Sequence, residues 1–454
     1  MRSARPNILF VLSDQQRWDT LGCYGQKLPV TPNLDRLAKE GTRFRYAFTP
    51  QPVCGPARSC IQSSRYATET GCFVNHRKLP ANDAFLGNLM TESGYETAYI
   101  GKWHLASFGP IGGVNDYTTR PIPLRRRGGY ENFWIAADAL ELTTSAYGGR
   151  LFNHDEDVIE IPENVYRVDA ITDWGIDFLK QRKGSSPFFM TLSYLEPHHQ
   201  NDLDQHIPPE RFKNHFRDFT APDDLKPDEG NWESEFADYL ACCHTIDENF
   251  GRIRDYLETT GEWDNTVVVY TSDHGSHFKT RNSEYKRSCH DSSIRIPMIC
   301  AGPGFKPGFE TDLFASLLDL APTFLRAADT PVPSDMRGIP LQDSTALDAE
   351  KNWRNKVFFQ ISESQVGRGI RTNKYKLSIS DPKQREGWFL GKSSDYYEDE
   401  FFYDLIEDPH EHNNLIGDSR YESVISELRE ELSQFMKKIG EPESFLAGAI
   451  HNIF

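Results

Sequence analysis

Four runs of apolar, largely branched or aromatic residues constrain the fold of this chain more than any other feature. They lie at residues 7–12, 95–100, 187–195 and 266–271. Such runs are typical of strands buried on both faces of a parallel sheet. Segments with helical signals separate or follow them, at residues 31–41, 165–180, 232–259 and 313–328. At 454 residues the chain is long enough for one large α/β domain and a smaller appendage.

Polar residues follow the first and the fourth of these runs at the point where each strand should end. Asp14-Gln15 follows residues 7–12, and Asp273-His274 follows residues 266–271. The carboxyl ends of parallel strands line the ligand crevice of open α/β sheets, so residues distant in sequence can meet there. Asp14 alone would equally fit a turn cap, but two such carboxylates make a candidate site for a hard divalent cation.

The other two runs lead into basic and imidazole side chains. Lys102 and His104 follow residues 95–100, and His198-His199 follows residues 187–195. Because alternate residues of an extended chain face one way, we expect Lys102 and His104 on the same side. A lysine can neutralise charge on an oxyanion, and a histidine can exchange protons near neutral pH. Lys102 and His104 therefore suit a site that handles an anionic ester, although a Lys-x-His pair taken alone is more often solvent-exposed; the alternative for His198 is a turn histidine without a ligand.

A loop rich in Pro and Gly runs into a predicted helix at Cys54-Gly55-Pro56-Ala57-Arg58-Ser59. Pro56 suits the first turn of a helix, which places Cys54 near the helix N-terminus. Free N–H groups and the helix dipole favour an anionic group there, and Arg58 adds a positive charge on the same side. The alternative is a buried structural thiol beside an arginine.

The Cys-x-Pro-x-Arg sequence at Cys54, together with several motifs in order, resembles the type I sulfatases of the alkaline phosphatase superfamily. The resemblance extends from Pro6 to about Leu415. Its other motifs are Thr31-Pro32-Asn33-Leu34-Asp35, Gly101-Lys102-Trp103-His104-Leu105, Ser272-Asp273-His274-Gly275, Lys286-Arg287 and Tyr403-Asp404-Leu405. It implies a large mixed, mostly parallel sheet sandwiched by helices, over residues 1–345. A smaller C-terminal α+β subdomain, with an antiparallel sheet and a helix, would occupy residues 346–454.

The resemblance also implies a nucleophile that is not encoded. Cys54 would be oxidised to formylglycine by a formylglycine-generating enzyme or an anaerobic sulfatase-maturating enzyme. The modified Cys54 would share one divalent cation with Asp14, Gln15, Asp273 and His274. The family implies Ca²⁺ first, with Mg²⁺ or Mn²⁺ as alternatives because a nitrogen ligand such as His274 is unusual for Ca²⁺. Many sulfatases have two adjacent aspartates where this chain has Asp14-Gln15.

Further roles follow from the resemblance. Arg58 would support the aldehyde hydrate, Lys102 and Lys286 would hold the sulfate, His198 would assist the leaving group and His104 would take up a proton. His199 would contact the substrate. The triplet Arg125-Arg126-Arg127 lies outside these motifs. It predicts either a solvated face or a rim that binds a second anion of a saccharide substrate.

Composition excludes several other classes. The net charge of −17 argues against nucleic acid and anionic membranes as partners. Eight cysteines without C-x-x-C spacing argue against a zinc site or a disulfide framework. No apolar run approaches the ~18 residues of a membrane span. The first apolar run is too short for a signal peptide, so the chain as it stands is expected in the cytoplasm; a trimmed signal would make it periplasmic or secreted.

We therefore expect a hydrolase that removes sulfate from a sulfate monoester such as a sulfated saccharide. One alternative is a phosphonate monoester or phosphodiester hydrolase of the same superfamily, which the Lys102-x-His104 pair disfavours. The other is a non-catalytic metal- or saccharide-binding module. The natural substrate stays open among glycan fragments, sulfated monosaccharides and small sulfate esters.

Overall fold

Three sheets organise the protein, whose computed structural model describes residues 5–80, 85–182, 186–346, 348–385 and 391–448. The strands are β1 (Asn7–Asp14), β2 (Gly41–Phe44), β3 (Ala47–Phe48), β4 (Glu96–Lys102), β5 (Phe133–Ala137), β6 (Tyr147–Phe152), β7 (Val158–Tyr166), β8 (Phe188–Pro197), β9 (Thr266–Ser272), β10 (Arg295–Ile296), β11 (Met298–Ala301), β12 (Phe309–Thr311), β13 (Ala315–Ser316), β14 (Lys356–Ile361), β15 (Gln365–Thr372), β16 (Tyr375–Arg385), β17 (Tyr396–Asp404) and β18 (Phe445–Ala447).

The helices lie between these strands and on both faces of the largest sheet. They are α1 (Pro32–Glu40), α2 (Cys54–Ser63), α3 (Ala67–Thr70), α4 (Leu86–Glu92), α5 (Leu140–Thr143), α6 (Arg167–Gln181), α7 (Trp232–Thr259), α8 (Asp291–Ile294), α9 (Leu320–Ala327), α10 (Ala349–Asn352) and α11 (Glu422–Lys438). None of the helices in the described part of the chain combines the length and apolarity needed to cross a bilayer.

The largest sheet has ten strands in the order β12-β2-β11-β9-β1-β8-β4-β5-β6-β7. Its centre, β9-β1-β8-β4-β5, is parallel throughout. Antiparallel pairs flank the centre, since β11 runs against β9 and β2 while β6 runs against β5 and β7. This arrangement confirms the predicted mixed, mostly parallel sheet.

The apolar runs form strands because both of their faces are covered. In β1, Ile8, Phe10 and Leu12 belong to one hydrophobic cluster, whereas Leu9 and Val11 belong to the cluster on the opposite face. Helices α2, α4 and α9 contribute to the first cluster, and α1, α6 and α7 to the second. A strand buried on two sides needs no polar alternation, which explains the continuous runs in the sequence.

The C-terminal part of the chain forms a five-stranded sheet in the order β14-β15-β16-β17-β18. It is antiparallel except for the β17–β18 pair. Helix α11 packs on it through Ile425, Leu428, Leu432 and Met436, which recur at helical spacing. This confirms the predicted antiparallel sheet with a helix. We propose the domain boundary near residue 346, just before this sheet begins.

One predicted helix is shorter than the sequence suggested. The helix predicted over residues 313–328 begins only at Leu320, after β13 and a 3₁₀ turn at Leu317–Asp319. Ser316 and Asp319 explain the difference, because the backbone N–H of Ser316 donates to the Asp319 carboxylate (2.8 Å) and the Ser316 hydroxyl accepts from the N–H of Leu318 (3.3 Å). This reciprocal pair marks a helix start inside the segment.

Candidate active site

Four buried side chains meet at the carboxyl ends of the central strands. Asp14 closes β1, Asp273 and His274 follow β9, and Cys54 begins α2. One ligand atom from each of these residues lies within 4.8 Å of the others. Because β1 and β9 are neighbouring parallel strands, their ends place Asp14 and Asp273 together although 259 positions separate them along the chain.

The Cys54 thiol lies at the centre of this group. Its Sγ is 3.0 Å from Nζ of Lys286, 3.2 Å from Nε2 of His274 and 3.5 Å from Oδ1 of Asp14. Burial alone would raise the pKa of this thiol, but the charges of Lys102, Lys286 and His274 and a hydrogen bond with His104 lower it well below its ordinary value. These neighbours therefore favour the thiolate form of an unmodified Cys54.

The Arg58 side chain, one turn along α2, holds the two aspartates. Its Nε donates to Oδ2 of Asp273 (3.1 Å) and its Nη2 to Oδ2 of Asp14 (3.2 Å). Its Nη1 donates to the Lys102 carbonyl (2.8 Å) and the Ser193 hydroxyl (2.7 Å). Through these hydrogen bonds the guanidinium fixes the carboxylates relative to the strand ends and compensates their charge.

Lys102 reaches the same group from β4. Its Nζ lies 2.8 Å from Oδ2 of Asp14 and 3.2 Å from Oε1 of Glu141. Sequence reasoning missed Glu141, which lies on the short helix α5 in a stretch without a recognisable motif. The sequence offered no local signal for it, because Glu141 reaches the site only through the packing of β4 beside β5.

Another side of the site is formed by Lys286, His198 and His199. Nζ of Lys286 is 3.2 Å from Nε2 of His198 and 3.2 Å from Nε2 of His274. The His199 ring stacks on the rings of His198 (4.4 Å between centroids) and Tyr285 (4.2 Å). Burial, reinforced by nearby positive charge, lowers the pKa of His199, so this ring is neutral.

His104 lies beside Cys54, but the backbone that places it there differs from the extended chain that was predicted. Strand β4 ends at Lys102, and His104 has φ of 62°, so the segment is not extended and the alternating-side argument was wrong. The strand end is distorted because Gly101, at φ of 113°, lies against the carbonyl of Ser193, where a Cβ would meet that oxygen at 2.0 Å.

The pKa values of the two aspartates are shifted in opposite directions. Burial and the Cys54 charge favour protonation of Asp14, but the charges of Lys102, His198 and Lys286 outweigh them and lower its pKa. Burial, followed by the charge of Asp14, raises the pKa of Asp273. Two carboxylates this close repel each other, and a bound dication would relieve that repulsion.

The available donors fit a divalent cation. Gln15 has φ of 68°, and its buried side-chain amide has no hydrogen-bond partner among the described residues. Nδ1 of His274 lies 3.0 Å from the Gly275 carbonyl. Because a carbonyl only accepts, Nδ1 carries a hydrogen, so that in the neutral ring Nε2 directs its lone pair to the group, as in metal-binding histidines. The free Gln15 oxygen, the imidazole nitrogen and two carboxylates form a suitable ligand set.

The arginine triplet does not form a common rim. Arg127 is buried, its Nε donates to the Ile122 carbonyl (2.8 Å), and its guanidinium lies 5.3 Å from the centroid of the Trp134 ring. Arg126 is half-buried over a phenylalanine ring, and Arg125 is exposed. The Arg127 placement argues against the predicted role in substrate binding, because its donors are used inside the protein.

Comparisons with known proteins agree with this geometry. The model of the sulfatase family matches residues 6–330, and that of the C-terminal part of N-sulphoglucosamine sulphohydrolase matches residues 283–438. The chain is 29% identical to an N-acetylglucosamine-6-O-sulfatase of Bacteroides thetaiotaomicron, covering 96% of this chain and 87% of the relative. It is 30% identical to YidJ of Escherichia coli, an uncharacterised sulfatase, covering 96% and 88%.

A solved structure is similar over nearly the whole chain. It is a protein in complex with its substrate D-glucosamine-2-N,6-O-disulfate, with a TM-score of 0.79 and 26% identity, covering 96% of this chain and 98% of that one.

Proposed function

Given that this chain belongs to the sulfatase family and is a sulfuric ester hydrolase, we propose that it removes sulfate from a sulfated saccharide through a formylglycine made from Cys54. We further propose that a divalent cation binds beside it. The observation that carries the proposal is the position of Cys54 Sγ, within 3.5 Å of Lys286, His274 and Asp14. A maturation enzyme that converts cysteine to formylglycine would be the partner of this chain.

The cation would be held by Asp14, Gln15, Asp273, His274 and the modified position 54, with Ca²⁺ favoured over Mg²⁺ or Mn²⁺. When bound, it supplies Lewis acidity to the nucleophile and the sulfate, and the aldehyde hydrate supplies a hydroxyl nucleophile. A sulfate monoester resists hydrolysis, so the remaining residues must orient it and hold its spreading negative charge.

The protein's own side chains meet these needs. Lys102 approaches the group from the end of β4 and Lys286 from the loop between β9 and α8, so that two ammonium groups can hold sulfate oxygens. His198 carries its hydrogen on Nδ1, since Nδ1 is 2.7 Å from the His199 carbonyl, and its Nε2 faces Lys286. This Nε2 can therefore hold a proton for the leaving oxygen. His104, hydrogen-bonded with the Cys54 thiol, is placed to take a proton from that position.

The saccharide part of the proposal is supported by the names of the relatives. They include an N-acetylglucosamine-6-O-sulfatase and two proteins described as ulvan-active sulfatases. A phosphonate monoester or phosphodiester hydrolase is the second candidate. The paired ammonium groups of Lys102 and Lys286 favour a monoester of sulfate, which presents three free oxygens to the site.

Replacing the nucleophile's precursor tests the proposal. Wild type, Cys54→Ala and Cys60→Ala are expressed with a maturation enzyme, and formylglycine at position 54 is measured by mass spectrometry. Cys60 is a matched control, because it is buried on the same helix with a raised thiol pKa. We expect Cys54→Ala to fold and to lose at least about 10³-fold in kcat on 4-nitrophenyl sulfate, while Cys60→Ala retains turnover.

Substrate and metal are tested in parallel. Sulfated sugars, aryl sulfates and phosphodiesters are compared on the wild type, and faster phosphodiester turnover would favour the second candidate. Chelation should lower both the bound metal content and the melting temperature, and Ca²⁺, Mg²⁺ or Mn²⁺ is then added back. Full activity of Cys54→Ala would contradict the formylglycine mechanism.

A further inference from the structure

The carboxylate of Glu141 has one oxygen in use and one without a partner. Oε1 is 3.2 Å from Nζ of Lys102, whereas Oε2 is buried and has no hydrogen-bond partner among the described residues. The side chain is 9% exposed, while Lys102 and Asp14 are fully buried. Leaving a buried carboxylate oxygen without a donor costs free energy, so a group absent from the free chain is expected to supply one.

The surroundings keep Glu141 ionised. Burial would raise its pKa, but the charges of Lys102, His104 and His198 lower it. An ionised carboxylate accepts hydrogen bonds and donates none. Its free oxygen can therefore contact a hydroxyl or an ammonium group, and it repels a second anion.

The position of Glu141 relates that oxygen to the substrate. Lys102 lies between Asp14 and Glu141, so the carboxylate is one side chain away from the candidate metal ligands. If Lys102 holds the sulfate, a ligand atom near Oε2 belongs to the part of the substrate that is adjacent to the ester. This step rests on the proposed function.

We propose that Glu141 determines specificity by accepting a hydrogen bond from a hydroxyl or ammonium substituent adjacent to the sulfate ester. The same charge disfavours saccharides that carry a second sulfate or a carboxylate at that place. Lys102 can only donate and lies beside Oε1, so Oε2 is the oxygen that remains to accept from the substrate. The site is thereby matched to singly sulfated positions with a neutral or cationic neighbour.

Glu141→Gln tests this assignment with minimal change of shape. The amide oxygen can still face Lys102, and the amide NH₂ then replaces the free acceptor by a donor. Exposed Glu163→Gln is the control for the loss of one carboxylate, and formylglycine content and melting temperature are measured for every variant. Substrates are 4-nitrophenyl sulfate and hexosamine monosulfates sulfated at 2-N, 3-O, 4-O or 6-O. Each monosulfate is paired with the disulfate that carries a second group at the neighbouring position.

We expect the loss in kcat/KM of Glu141→Gln to be about 10- to 100-fold larger on the preferred monosulfate than on 4-nitrophenyl sulfate, chiefly through KM. Its preference for monosulfate over disulfate should fall by about tenfold or more. An equal loss on the aryl sulfate would show that Glu141 acts only through Lys102 and would overturn the proposal, as would an unchanged preference. A wild type carrying formylglycine and metal that hydrolyses no sulfate ester would overturn the proposed function instead, and this assignment with it.

Discussion

At the scale of single residues, the site concentrates opposite charges away from water. Three carboxylates (Asp14, Asp273 and Glu141) contact two of the buried cations, Arg58 and Lys102. Removing one partner of such a group leaves an uncompensated buried charge, which costs more than the pair contributes. The Cys54 thiol lies among these charged groups, and their charges determine its pKa.

These charges predict how the unmodified protein reacts with an alkylating agent. Since positive neighbours lower the pKa of Cys54, its thiolate fraction should change less with pH than that of the other thiols. Burial raises the pKa of other thiols, that of Cys72 to about 12, so their thiolate fraction rises tenfold per pH unit and stays small. We therefore expect iodoacetamide to modify Cys54 first, at a rate that rises less between pH 6 and 8 than the rates at the other cysteines, in protein produced without a maturation enzyme.

Peptide mapping of the alkylated protein measures the rate at each cysteine. Protein that carries formylglycine is the control, because it should lack the fast site. A Cys54 rate that rises tenfold per pH unit would contradict the lowered pKa.

Motif residues of the site could be predicted from the sequence, whereas their partners could not. Asp14, Cys54, Asp273 and Lys286 lie in local patterns, and the structure places them together. Ser193 donates to the Lys102 carbonyl from inside an apolar run of β8, and Glu141 lies in a stretch without motifs. Such residues are selected by packing between distant strands, which leaves no trace in spacing along the chain.

At the scale of elements, the turn between β14 and β15 connects the C-terminal sheet to the Cys54 segment. The N–H of Gly55 donates to Oδ1 of Asn75 (2.9 Å), and the N–H of Asn75 donates to Oε1 of Glu363 (2.6 Å). Glu363 also pairs with Arg287 (2.6 Å), which follows Lys286. One buried carboxylate therefore supports the segments that carry Cys54 and Lys286. The strands of this sheet could be predicted from the sequence, but this contact could not.

Replacing this carboxylate should disturb catalysis through geometry. Glu363→Gln puts an amide NH₂ against donors of Asn75 or Arg287, and we expect kcat to fall about 10- to 100-fold with a smaller change in KM. The matched control is Glu284→Gln, which pairs with the same Arg287 (3.1 Å) from a position that is 47% exposed. Steady-state kinetics on 4-nitrophenyl sulfate, with melting temperatures, compares them. Equal effects of the two variants would contradict a positioning role for Glu363.

At the scale of the whole molecule, a buried charge cluster joins the C-terminal sheet to the rest of the protein. Lys376 of β16 contacts Asp291 of α8 (2.6 Å) and Glu411. Burial would raise the pKa of Asp291, but Lys376 and Arg371 outweigh it and lower that pKa. Burial, with Asp291 nearby, raises the pKa of Glu411. The composition and order of strands predicted the second sheet, but the sequence could not predict which charges would be buried beneath it.

Removal of the shared cation should weaken this junction in a pH-dependent way. We expect Lys376→Met to destabilise the protein by about 3–5 kcal/mol at pH 7.5, because Asp291 and Glu411 lose the buried cation that they share. Lys356→Met is the control, since its pair with Glu431 is 38% and 42% exposed and contributes about 0–1 kcal/mol.

The folded-state pKa of Asp291 lies below its unfolded value, so its stabilisation is present above the unfolded pKa and is lost as pH falls through the folded pKa. Without Lys376 that pKa rises and the carboxylates are protonated more readily, so the deficit measured by denaturant unfolding should be smaller at pH 5 than at pH 7.5. A deficit equal to that of Lys356→Met, or one independent of pH, would contradict the role of Lys376 as the shared buried partner.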